Sequence, residues 1–186
     1  MKQTVPSFLQ PGDTIGISAT ARFATTESLA IAKRVIEAEG FQCYYSPDIS
    51  VQQHQVAGTV AERVQHFNAL IHNPDIKAIW NVRGGYGSAE IVDLVDWGAL
   101  VAQPKWLIGF SDFTTFLCHG IQKGIATLHA PMPISFSITH PDALTATFDV
   151  LRGKEDALHC ALPKEVHGQI IAGNLSVISS ILGTPS

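Results

Sequence analysis

Cysteine is scarce and poorly placed for covalent or metal chemistry. The 186 residues hold three, Cys43, Cys118 and Cys160, far apart and without C-x-x-C spacing. That argues against a disulfide framework or a zinc site and reads them as apolar thiols of the interior. None of the eight histidines forms H-E-x-x-H or H-x-H, so no metal is expected. Charge is also sparse, at 15% of residues and a net −4, with no basic patch, so nucleic acid is not an expected partner. No apolar run is long enough to span a bilayer, so no membrane partner is expected. The opening Met1-Lys2-Gln3-Thr4-Val5-Pro6 lacks an apolar signal core, and the expected compartment is the cytoplasm. No internal repeat and no low-complexity segment is present.

What the sequence does have is apolar residues, 46% of the total, enough for one good core or for one core and an appendage. They are arranged in alternating patterns. Thr14 to Ala19 reads as a first strand after the turn Pro11-Gly12-Asp13. A helix follows from Thr25-Thr26, with Leu29, Ala32, Val35 and Ile36 on one face and Gly40 as its stop. Phe41 to Tyr45 is a short second strand, and residues 46–58 form a long polar connection of the kind that serves function or moves. Thr59-Val60-Ala61-Glu62 is a capping box, and Val60, Val64, Phe67 and Ile71 repeat at helical spacing after it.

Ile76 to Val82 is the third strand, leading through Arg83-Gly84-Gly85-Tyr86-Gly87-Ser88 into a helix over about Ala89–Val95. Lys105 to Phe110 is the next strand, followed by a helix with Phe113, Phe116, Leu117 and Ile121 that ends at Gly124. Ile125 to Leu128 reads as a further strand, and Pro141 to Leu151 as a helix. Strands alternating with helices predict an α/β fold, a parallel sheet flanked by helices. Residues 1–150 are expected to form this domain, and residues 151–186 a linker and the start of a second unit. In that second part Lys154 to Gln169 reads as a linker or an edge hairpin, and Val177 to Leu182 as an apolar helix.

In such a sheet, ligands sit beyond the carboxyl ends of the strands. Two motifs fall there. Gly109-Phe110-Ser111-Asp112 sits at a sharp strand-to-helix junction that can push a serine hydroxyl out and aim backbone N–H groups at what it attacks. The same Ser-Asp pair would also serve as an ordinary helix cap. Gly84-Gly85-Tyr86-Gly87 can cradle an anion or a developing oxyanion with its N–H groups, or can simply be a tight turn. It matches neither G-x-G-x-x-G nor a P-loop. Arg83 can hold a carboxylate through its planar fork or form a structural ion pair with Asp112 or Glu90. As a base for Ser111, His119 lies about 12 Å along a helix and is too far, while His129 ends a strand on the right edge.

Taken in order, Arg83-Gly84-Gly85-Tyr86-Gly87-Ser88, Ile108-Gly109-Phe110-Ser111-Asp112, His129-Ala130-Pro131-Met132, Gly173-Asn174-Leu175-Ser176 and Gly183-Thr184-Pro185 resemble the LD-carboxypeptidases. These are the muramoyl-tetrapeptide carboxypeptidases and the related microcin-immunity peptidases. Pro11-Gly12-Asp13 is similar to the family's opening. The resemblance implies an amidotransferase-like or Rossmann-like N-terminal domain with most of a second domain absent. It implies a cytoplasmic serine peptidase that releases the terminal D-alanine of a muropeptide tetrapeptide in murein recycling, with no cofactor. Ser111 would be the nucleophile, the backbone N–H groups of Gly85 and Asp112 the oxyanion hole, and Arg83, Gly84 and Tyr86 would contact the peptide. A homodimer is implied for the full-length form.

The family's glutamate and histidine lie downstream of the Gly-Thr-Pro motif, so the chain as written is expected to be inactive or nearly so. The exposed apolar face Leu175, Ile178 and Leu182 is expected to want a partner domain. Alternative readings are a non-catalytic module binding muropeptide-like ligands, an anion- or nucleotide-binding α/β domain, and another α/β hydrolase or amidotransferase-like enzyme.

Overall fold

A computed structural model of the chain describes residues 3–154, 168 and 170–184. Five parallel strands form its sheet: β1 (Thr14–Ser18), β2 (Gln42–Tyr44), β3 (Ile76–Asn81), β4 (Trp106–Gly109) and β5 (Leu128–His129). Their spatial order is β2-β1-β3-β4-β5, with Gly16 opposite both Tyr44 and Ile79, and Gly109 opposite His129. The order reverses between β1 and β3, so the crevice for a ligand opens at that end of the sheet.

Helices cover both faces because the strands are apolar on both. Successive strand side chains point to opposite sides. On one side Ile15, Ile17, Ala78, Trp80, Trp106 and Ile108 meet Leu29, Ala32 and Ile36 of α1 (Thr26–Ala38) and Phe148 and Leu151 of α6 (Pro141–Leu151). On the other side Ile79 and Leu107 meet α2 (Val60–His72), α4 (Trp97–Ala102) and α5 (Thr114–Gln122). Trp80 is fully buried between Phe136 and Phe148, ring centroids 5.2 and 5.4 Å away, and its indole N–H donates to Pro131 O. Such aromatic pairs add about 1 kcal/mol beyond the area they bury.

The capping box of α2 forms as its sequence predicts. Thr59 Oγ1 accepts from Glu62 N, and Glu62 Oε2 accepts from Thr59 N at 2.7 Å. The packed face of that helix differs from the predicted one. Val60 is exposed, and Arg63 is buried beside Phe67, Leu70 and Ile71. The polar connection at 46–58 contains a single 3₁₀ turn, Pro47–Ser50, whose Ile49 is buried.

Two expected elements change markedly and one unexpected helix appears. The helix expected over Ala89–Val95 is a short α3 (Ser88–Ile91) continued by a 3₁₀ turn, Val92–Leu94. After it, α4 starts on an unpredicted cap, Asp96, whose carboxylate accepts from Ala99 N. The last strand is Leu128–His129, while Ile125 pairs only with Thr4. The expected linker lies almost wholly outside the described residues, as does Cys160. Beyond it, Asn174 caps α7 (Leu175–Ile181), a helix with no buried residue. On the face expected to want a partner, Leu175 and Leu182 are exposed and Ile178 is half-buried.

Candidate active site

β4 ends at Gly109, and the chain turns at Ser111 into a 3₁₀ turn, Ser111–Phe113, that opens α5. Ser111 sits at φ +58°, a left-handed conformation that costs a non-glycine residue about 1 kcal/mol or more. Its side chain does not cap the helix, and its hydroxyl makes no hydrogen bond among the described residues. The cap reading of Ser-Asp is therefore wrong for both side chains. The Asp112 carboxylate instead accepts from Ser88 N at 2.9 Å, across to the start of α3.

The glycine loop after β3 lies against this turn. A Cβ on Gly84 would stand 2.8 Å from Ser111 Oγ and 2.9 Å from its Cβ, so only glycine fits. Gly85 and Gly87 have φ of +137° and +128°, which side chains rarely adopt. A Cβ at either would also strike an arginine, Arg22 for Gly85 and Arg63 for Gly87. Neither the Gly85 N–H nor the Asp112 N–H donates a hydrogen bond among the described residues. Both residues are half-buried and line the cleft, so two unpaired donors beside a free hydroxyl form an anion-receptive corner.

The cleft over Ser111 measures about 640 Å³. Its floor is the glycine loop, Ser111, Asp112 and Thr115, and its far wall is Asn174, Ser176 and Ser180 on and before α7. Asn174 N donates to Thr114 Oγ1 at 2.9 Å, which ties that wall to the helix behind the serine. Tyr86 stands at the rim, 87% exposed.

Arg83 pairs with neither Asp112 nor Glu90, which corrects both structural alternatives. Glu90 is held by Arg63, and Asp112 by Ser88 N. The Arg83 guanidinium lies 5.9 Å from the Phe23 ring centre, and burial, then the neighbouring Arg22, holds its pKa below the ordinary value. Arg22 bonds the Gln55 side-chain carbonyl, and its stem packs on Gly85. Neither histidine considered as a base reaches Ser111. His129 is exposed and meets the Phe110 ring at 6.2 Å. His119 is buried against Trp97 at 4.5 Å, with Asp93 at 3.8 Å, and burial first, then Lys123, lowers its pKa. Among the described residues no group of three or more metal-ligating side chains gathers.

Residues 15–130 match the model of the LD-carboxypeptidase N-terminal domain. The chain belongs to the LD-carboxypeptidase family. It is 29% identical to the murein tetrapeptide carboxypeptidase of Pseudomonas aeruginosa over 91% of its own length and 60% of the relative's. It is 28% identical to the microcin C7 self-immunity protein MccF of Escherichia coli, over 99% of this chain and 66% of that protein. A solved structure of MccF superposes on 98% of this chain and 66% of that one, with a TM-score of 0.83 at 25% identity. The chain thus spans about 60% of the length of the first curated relatives.

Three residues of this corner carry no obvious motif, Thr20, Arg63 and Asn81, and Ser88, which closes the glycine motif, gave no sign of its partners. Arg63 alone left a trace in the sequence, as a charge within the apolar repeat of α2.

Proposed function

We propose that Ser111 is the nucleophile of a serine LD-carboxypeptidase that releases the terminal D-alanine of a murein tetrapeptide. The observation that carries this is Ser111 itself, held at φ +58° with a free hydroxyl beside two unpaired N–H groups at the ligand edge of the sheet. On this reading Ser111 Oγ attacks the carbonyl of the L,D amide. The oxygen that becomes negative is received by the N–H groups of Gly85 and Asp112. Preorganised donors of this kind stabilise the transition state by about 3 kcal/mol each. Gly84 lets that oxygen and the serine approach one another. The Arg83 fork takes a peptide carboxylate, and Tyr86 packs on the substrate at the rim.

A serine hydroxyl needs a base to react well. No histidine among the described residues bonds Ser111, so the proposal takes the base and its orienting carboxylate from elsewhere in the enzyme. The 186-residue chain by itself is then expected to turn over slowly at best. The same reading places the reaction in the cytoplasm, a compartment suited to the free thiols of Cys43 and Cys118.

The test is D-alanine release from a murein tetrapeptide by the full-length form, with labelling of Ser111 by a fluorophosphonate as a second readout. Ser111→Ala should abolish both. Release by the Ser111→Ala protein would overturn the assignment, and efficient release by the unextended chain would overturn the need for an outside base.

A further inference from the structure

The glycine loop is pinned at its two ends and left free in its middle. At its entry, Asn81 Nδ2 donates to Arg83 O at 2.7 Å. At its exit, Ser88 N is held by Asp112, and Ser88 Oγ meets Thr20 Oγ1 at 2.8 Å. Asn81 Oδ1 in turn accepts from Thr20 N, Thr20 Oγ1 and Ser18 Oγ, within 3.2 Å. Between these pins stand Gly84, Gly85 and Tyr86, whose N–H groups are committed to nothing among the described residues.

One side chain joins the pins. Arg63 reaches in from α2 and is only 3% exposed. Its Nη1 donates to Thr20 O at 2.9 Å and to Gly87 O at 2.8 Å, and its Nη2 donates to Glu90 Oε2. Thr20 belongs to the chain leaving β1, Gly87 to the glycine loop and Glu90 to α3. A guanidinium is the one side-chain group whose flat fork can hold two carbonyls and a carboxylate in one plane. Burying it is unfavourable unless its donors are used, and here Nη1 and Nη2 are used while Nε finds no partner among the described residues. A leucine there would fill the same space on α2 but would leave Thr20 O and Gly87 O without this partner.

From this geometry we infer that Arg63 is a positioning residue for the oxyanion hole, fixing Gly87 and through it the direction of the Gly85 N–H. The inference rests on the proposed role of Ser111 and Gly85. It touches no reacting atom. Its effect is on placement, where an error of about 1 Å can cost about 100-fold.

The test uses a peptide boronic acid in which boron replaces the scissile carbonyl carbon. Ser111 Oγ forms the bond to boron, its proton passes to solvent, and the boron becomes a tetrahedral anion with an oxygen in the oxyanion position. No base is required at equilibrium, so the chain can be used as it is. Arg63→Met should weaken boronate binding by about 10- to 100-fold while the unreacted tetrapeptide binds within about threefold of normal. Arg63→Lys should recover little, because an ammonium cannot span the same three acceptors. Equal weakening of boronate and tetrapeptide, or no weakening of either in a folded Arg63→Met protein, would overturn the inference.

If Arg63→Met does not fold, Glu90→Gln decides. Glu90 is exposed, and loss of its charge loosens Arg63 without emptying the interior. Selective weakening of the boronate supports the inference, and unchanged boronate binding overturns it. Absence of any boronate adduct on the unsubstituted protein, with the same result in Ser111→Ala, would instead defeat the nucleophile assignment and the inference with it.

Discussion

Gly84 and Ser111 leave no room between them for a methyl group: a Cβ on Gly84 would stand 2.8 Å from the serine oxygen. Gly84→Ala must therefore displace Ser111, whose own Cβ is 2.9 Å from the same point and cannot rotate away. In the full-length form, which supplies the base on the proposed reading, we expect D-alanine release to fall by about 100-fold or more. A change in Tm of only a few degrees would show that the loss is local, and retained activity would show that the contact is not critical.

Ser111 itself stores backbone strain at φ +58°. Ser111→Ala and Ser111→Gly should both lack activity, yet they should differ in stability. Glycine adopts this conformation freely, whereas alanine keeps the penalty. Urea unfolding should find Ser111→Gly more stable than Ser111→Ala by about 1 kcal/mol. Equal stability would mean that the turn is not strained in solution.

The start of α2 depends on Thr59, whose hydroxyl accepts Glu62 N. Thr59→Ala should destabilise by about 1 kcal/mol, read from the urea midpoint at constant m. The hydrogen bonds from Thr59 also hold the Glu62 carboxyl below its ordinary 4.5. A carboxyl with a depressed folded-state pKa stabilises above its unfolded value and loses that contribution as pH falls through the folded one. Tm should therefore fall below about pH 4.5 less steeply in Glu62→Gln than in the unsubstituted protein.

Two buried groups should act in opposite directions in alkali. Lys105 donates to Leu70 O and Asn73 O, and burial, then Lys77, lowers its pKa from 10.5 to about 8. Between those values the unfolded chain binds the extra proton, so stability rises with pH. Burial, then Glu37, raises the Cys43 thiol from 9.0 to about 12, so there the folded state holds the proton and stability falls with pH. Unfolding midpoints measured from pH 7 to 11 should rise above about 8. The two contributions cancel between about 9 and 10.5, and a net fall should set in above about 10.5. Lys105→Met should remove the rise and Cys43→Ser the fall.

The alternation of strands and helices was legible because both signals are local. The capping box at Thr59 and the helix Pro141–Leu151 each need only a few neighbouring residues to recognise, and both formed as predicted. The serine turn and the glycine loop could be placed on one edge because parallel topology puts every strand end there. The pins of the loop could not be read. Thr20 and Asn81 are small polar residues common in turns, Ser88 showed only as the end of the glycine motif, and the contacts among them span 61 to 68 positions. The helix α4 was missed for a different reason. Its six residues, Trp97–Ala102, are too few to show a period, and only Asp96 announces it. The last strand moved because Ile125 is buried through a single bridge to Thr4, so its hydrophobicity signals burial without signalling a place in the sheet.

The wall formed by α7 is joined to the rest of the cleft chiefly at Thr114, where Asn174 N is bound and where Gly173 lies so close that a Cβ would meet Thr114 Cγ2 at 2.4 Å. The glycine-loop corner is anchored separately, through Arg63 and Asp112. The two halves of the cleft are thus held by different contacts. Both anchors nonetheless converge on one short segment, since Asp112 and Thr114 lie one and three positions after Ser111.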